Sequence, residues 1–207
     1  MEAALKGKHN FQNIKKQIQK NQNINFIRLT NLAESRIEGF RQGELSFSKV
    51  FDVNKMSRLY ALSTLVGTTH PLLLTNIRFY YNPITGLIEP IGADASITLS
   101  RVPKFNFIGE GWRYFDKQNV NIDWRWPFVA FRDKIFFKKY IEYLEAISDK
   151  NFLDRFFSET EEEKQEKTRI LNRSFPYYES DLTEKVYKNS DYIKKYLQPT
   201  KALNVYF

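Results

Sequence analysis

The stretch Phe51 to Gly67, "FDVNKMSRLYALSTLVG", constrains the fold more than any other. Met56, Leu59, Tyr60, Leu62, Leu65 and Val66 recur at helical spacing but cover well over a third of the circumference. A stripe that broad cannot be satisfied by one neighbour, so the rest of the chain must pack around this helix. Its ends are marked too: Asp52 or Asn54 can cap the start, and Gly67 suits a left-handed residue at the stop.

The segments on either side read as partners for it. "LTNLAESRIEGFRQGELS" places Leu32, Ile37 and Phe40 on one helix face, with Gly43 as the stop. From Arg132 onward the pattern is helical again. "DKIFFKKYIEYLEAIS" repeats apolar residues at Ile135, Phe136, Tyr140, Ile141, Leu144 and Ile147. In "NFLDRFFSETEEEKQEKTRILNR", Ser158 and Glu161 are spaced as a capping box, which would put the acidic run Glu159 to Glu163 at a helix N-terminus. "DLTEKVYKNSDYIKKYLQP" is a last amphipathic helix, ended by Pro199. Eighteen Phe, twelve Tyr and three Trp in 207 residues predict a core filled by rings, with Tyr hydroxyls at its edge.

One stretch breaks the helical pattern. "NIRFYYNPITGLIEPIGADA", Asn76 to Ala95, predicts a β-hairpin with strands over about Leu74 to Tyr81 and Leu87 to Ile91. Pro90 late in the second strand suggests an edge. Asn76 opens the hairpin and Asp94 closes it. Ser96 to Trp126 has no clear period and reads as a long packed loop. The expected class is mainly α with a small β-hairpin element, α+β. Residues 1–30 form a polar N-terminal segment and 31–207 the folded unit.

Composition removes several functional classes. There is no Cys, which excludes disulfides and thiolate zinc sites, and two His cannot make a His-rich metal site. No window of about 18 apolar residues exists, so no transmembrane helix is expected. The N-terminus lacks the apolar stretch of a signal peptide, and the chain is expected to be soluble as given. A net charge of +8 permits an anionic partner, but no clean Lys/Arg block or nucleic-acid motif accompanies it, and nucleic acid is not expected.

An amide and a carboxylate at a hairpin mouth are common turn residues. They are also the hard oxygen ligands that a metal-bound phosphate needs. The stretch Gly43 to Ala95, with "YIEYLEAISDKNFLDRFF" and "NSDYIKKYLQP", resembles the spore-coat CotH kinase family, in its bacterial branch with an "N-x-R-F-Y-Y-N-P-I-T" hairpin. The resemblance spans roughly Leu32 to Pro199. It implies the C-lobe of an atypical protein-kinase-like fold, Mg2+ and ATP as cofactors, and transfer of a phosphoryl group to protein side chains. It also implies a protein substrate or a coat or cell-envelope protein as partner.

Carried over by that resemblance, Asn76 matches the catalytic-loop Asn and Asp94 the metal-binding Asp after the hairpin. Where members read "P-W-D-x-D", this chain has "I-G-A-D-A-S", and Ser96 replaces the second Asp. The catalytic base should stand five residues before the Asn, where this chain has Pro71. His70 beside it can substitute as a base, or it is a capping or packing histidine. No Gly-rich loop and no strand Lys precede the helices, so the expected product is a fragment or split gene product lacking its N-lobe. The alternative is a catalytically inactive pseudokinase that serves as a binding or assembly module. Trp112, Trp124 and Trp126, beside Arg113 and Arg125, are either interface anchors or cover for the core. Asp116 and Asp123 lie in the same loop with nothing in their spacing to single them out.

Overall fold

The computed structural model describes residues 24–92, 107, 127–176 and 182–198. They form six helices and one hairpin: α1 (Ile24–Arg41), α2 (Phe47–Val50), α3 (Val53–Leu65), β1 (Arg78–Asn82), β2 (Leu87–Ile91), α4 (Lys134–Ile147), α5 (Lys150–Leu171) and α6 (Leu182–Leu197). Single 3-10 turns occur at His70–Leu72 and Ala130–Arg132. The architecture is mainly helical with a two-stranded antiparallel sheet. Helix α1 runs across residue 30, so the polar segment and the folded unit are not separated by an element boundary there.

The central helix is α3. Asp52 caps it, its carboxylate accepting from Lys55 N at 3.0 Å. At the other end Gly67 has φ +72°; Thr68 N donates to Ser63 O and Gly67 N to Thr64 O, the two bonds of a Schellman motif. Met56, Tyr60 and Leu65 are buried as the stripe requires, and Ala61, outside it, is buried too. Leu62, counted in that stripe, is 52% exposed, and Ser57, Ser63 and Thr64 are buried in its place. Small polar residues let a neighbouring helix approach closely. Ser57 Oγ donates to the Phe136 carbonyl of α4, and Thr64 Oγ1 lies 2.9 Å from Tyr140 Oη.

Between α3 and α4 the core is aromatic. The Phe136 ring meets Phe47, Tyr60 and Phe131 edge-on at 5.1 to 5.2 Å between centroids. Phe107 is buried against Tyr60 and Phe131. The tyrosine hydroxyls do not all reach the edge as expected. Tyr60 is wholly buried and its hydroxyl has no hydrogen-bond partner among the described residues. Burial pushes both the Tyr60 and the Tyr140 phenols well up from the usual range.

Three other expectations are corrected. On α1 the inward face is Ala33, Ile37 and Phe40, spaced i, i+4, i+7, and Leu32 points 43% exposed to solvent. On α4, Phe136, Tyr140 and Leu144 are buried, but Ile135 is 59% exposed. The capping box at Ser158 does not form, because α5 is continuous from Lys150 and its cap is Asp149, which accepts from Phe152 N. The Phe152 to Phe157 segment is itself helical and packs inward through Leu153, so the acidic run falls in mid-helix, where Lys164 pairs with Glu161. The loop over 96–126, apart from Phe107, and Pro199 lie outside the described residues.

Helix α6 locks these layers together. Asn189, wholly buried, donates through Nδ2 to the Leu65 carbonyl at 2.8 Å, and Ser190 Oγ donates to the Ser148 carbonyl at 2.6 Å. One is an orphan acceptor in the last turn of α3; the other belongs to the residue that follows α4.

Candidate functional site

The chain leaves α3 through Gly67 and turns at once into the His70–Leu72 helix, with Pro71 buried at its centre. Leu73 O then accepts from both Asn76 N and Ile77 N, a tight turn that delays the first strand. Hence β1 starts at Arg78 rather than near Leu74, and Asn76 sits in the turn before it.

The structure brings two of the three expected site residues together. Asn76 Nδ2 donates to the His70 carbonyl at 3.0 Å and lies 3.2 Å from His70 Nδ1. An amide nitrogen only donates, so Nδ1 is the acceptor and a neutral His70 carries its proton on Nε2. Both contacts use the NH2 group, which fixes the amide's orientation. Among the described residues no donor reaches Asn76 Oδ1. A carboxamide oxygen held in one direction on a half-buried residue suits a hard cation such as Mg2+, which takes one or two side-chain oxygens and completes its octahedron with water and phosphate. Asp94 and Ser96 lie outside the described residues, as do the Trp/Arg cluster, Asp116 and Asp123. Among the described residues no group of three His, Asp or Glu is close enough to hold a metal, and no helix is long and apolar enough to cross a membrane.

A second polar constellation, not foreseen from the sequence, lies farther along the hairpin. Glu89 of β2 is 8% exposed. Its Oε2 accepts from Lys55 Nζ at 2.5 Å and its Oε1 from Asn82 Nδ2 at 2.8 Å. Asn82 Oδ1 in turn accepts from Ile84 N at 2.9 Å, closing the turn that Gly86 completes at φ +66°. Beside it, Asp52 N donates to Ile88 O, which ties β2 to the start of α3. The only sequence signal was a Glu within a strand of a two-sided apolar pattern; its Lys lies 34 residues away.

Lys55 and then Asn82 hold the Glu89 carboxyl below the ordinary glutamate range, and the same bond raises Lys55. A lowered carboxyl favours the folded state above its unfolded value, and that advantage is lost as pH falls through the folded one. Carbon-detected NMR titration should therefore give Glu89 a midpoint below that of glutamate in an unstructured peptide, with hairpin amides losing protection over the same acid range. A midpoint at or above the peptide value would contradict the pairing.

Comparison with protein-family models, with curated proteins and with solved structures finds no match to this chain.

Proposed function

We propose that the chain is the helical C-lobe of a CotH-type, kinase-like protein that binds a Mg2+–nucleotide complex through Asn76 and Asp94. The single observation that carries this reading is the Asn76 carboxamide, oriented by His70 at the mouth of a hairpin that follows a buried helix, with its oxygen left for a ligand. Bound Mg2+ would supply charge neutralisation at the nucleotide phosphates. The chain's own residues would fix its place: His70 orients Asn76, and the hairpin spaces Asn76 from Asp94. Positioning and charge neutralisation supply most of the barrier lowering in phosphoryl transfer. A phosphoryl group passing to a protein hydroxyl is the activity this arrangement fits, with the phosphate-covering lobe supplied from elsewhere.

A second reading, an inactive kinase-like module that binds a coat or envelope protein, is favoured by a specific observation. Pro71 offers no base, and the Nδ1 of His70 is turned to the Asn76 amide rather than to an incoming hydroxyl. The two readings agree on nucleotide binding if the ligands are retained and differ on transfer.

The test is thermal unfolding with Mg-ATP. At about ten times its dissociation constant a ligand stabilises by about 1.4 kcal/mol. The expected result is an upward shift in Tm that Asn76→Ala and Asp94→Ala each remove. A shift unchanged in both variants, or none at any concentration, would contradict the proposal.

A further inference from the structure

A two-stranded hairpin is at best marginally stable by itself, so what fastens it decides where its ends point. By the strand register Arg78, Tyr80, Glu89 and Ile91 share the outer face, where Tyr80 and Ile91 are 50% and 49% exposed, while Phe79 and Ile88 face the core. Phe79 and Ile88 pack its inner face on the core, and polar bonds fasten it at two places. Near its mouth, Asn76 is bonded to His70, just beyond the C-terminal end of α3. Toward its turn, Lys55 in the first turn of α3 grips Glu89, and Asp52 N bonds Ile88 O. With the first fastening alone, only the apolar packing of Phe79 and Ile88 would oppose a pivot about the turn at residues 73–77.

We propose that the Lys55–Glu89–Asn82 clasp removes that pivot and makes Glu89 a positioning residue for Asn76, fixing the carboxamide that presents its oxygen to a metal. The geometry has the marks of a clasp. Both carboxylate oxygens are engaged, each by a different element, and the carboxylate is nearly buried although the Lys55 side chain that grips it is half in solvent. Asn82 couples the grip to the turn, since the same side chain bonds Glu89 and closes the loop at Ile84. A charge-assisted hydrogen bond from helix to strand adds direction to the apolar packing of Phe79 and Ile88.

The part of this inference that concerns the metal rests on the reading of Asn76 given above; the clasp itself does not. The experiment pairs two readouts on the wild type, Glu89→Gln, Lys55→Met and Lys55→Arg. Amide hydrogen exchange should speed up by roughly tenfold across β1 and β2 in Glu89→Gln and Lys55→Met, with α3 and α4 unchanged and Lys55→Arg close to wild type. Mn2+ affinity with ATP present, read from the free Mn2+ EPR signal, should fall about 10- to 100-fold in the first two variants and recover in Lys55→Arg, the range typical of residues that orient a metal ligand. Wild-type exchange in Glu89→Gln would overturn the clasp. Faster exchange with undiminished Mn2+ affinity would overturn the positioning role. If the wild type binds no Mn2+, the reading of Asn76 as a ligand fails with the positioning role, and the exchange data decide the clasp alone.

Discussion

Replacing Phe136 by alanine should destabilise the protein by about 3–5 kcal/mol, the range for a fully buried ring deleted from a packed core. The ring is wholly buried and touches four others, Phe47, Tyr60, Phe131 and Tyr140, each from a different element. Those neighbours are held by their own elements, so they cannot collapse into the space left behind. The backbone carbonyl of Phe136 also accepts from Ser57, which keeps α4 at its distance from α3 after the ring is gone. Denaturant unfolding checks this, with Phe137→Ala as the contrast. Phe137 is 49% exposed, and its loss should cost far less. Equal effects of the two substitutions would mean that α4 presents a different face to the core.

The second large effect is expected at a polar residue. Asn189→Ala should cost about 1–3 kcal/mol, the range for a buried hydrogen-bonding group left without its partner, reduced by removal of its own Oδ1, which is buried with no partner among the described residues. Its Nδ2 is the donor to the Leu65 carbonyl, and without it that acceptor at the end of α3 is sealed away from water beneath α6. Two substitutions nearby should behave oppositely. The hydroxyls of Tyr60 and Ser63 are buried and have no hydrogen-bond partner among the described residues, so Tyr60→Phe and Ser63→Ala remove a desolvated group that gains nothing there. Both should be neutral or mildly stabilising by urea titration. A loss at Ser63→Ala comparable with that at Asn189→Ala would show that the buried polar atoms act as one network.

These cases mark what can be read along a sequence. Periodicity located α3 and α4 because their apolar residues recur often enough to survive a misjudged edge. It misplaced Leu32, Leu62 and Ile135, because the width of a buried face is set by how closely neighbours pack. Ser57 and Thr64 are what permit that closeness. The cap of α5 was misread for a related reason. Ser158 and Glu161 match a local pattern, but Asp149 stands directly after the end of α4, where a new helix must begin. The pairing of Asn76 with His70 was within reach of the sequence, since the two lie six residues apart in one turn. Glu89 was not, because its partners come from another element, and only the fold brings Lys55 to it.

The central claim is that the Asn76 carboxamide presents its oxygen to a metal that also holds a nucleotide. Paramagnetic broadening tests it directly: Mn2+ is added in the presence of ATP, and the side-chain amide signals of asparagine and glutamine are followed by NMR. The account predicts that the Asn76 side-chain signal is among the first to vanish, and that Asp94→Ala delays its loss. Asn76 left sharp while amides near Glu159 to Glu163 broaden would place the metal on the acidic surface of α5 and contradict the claim.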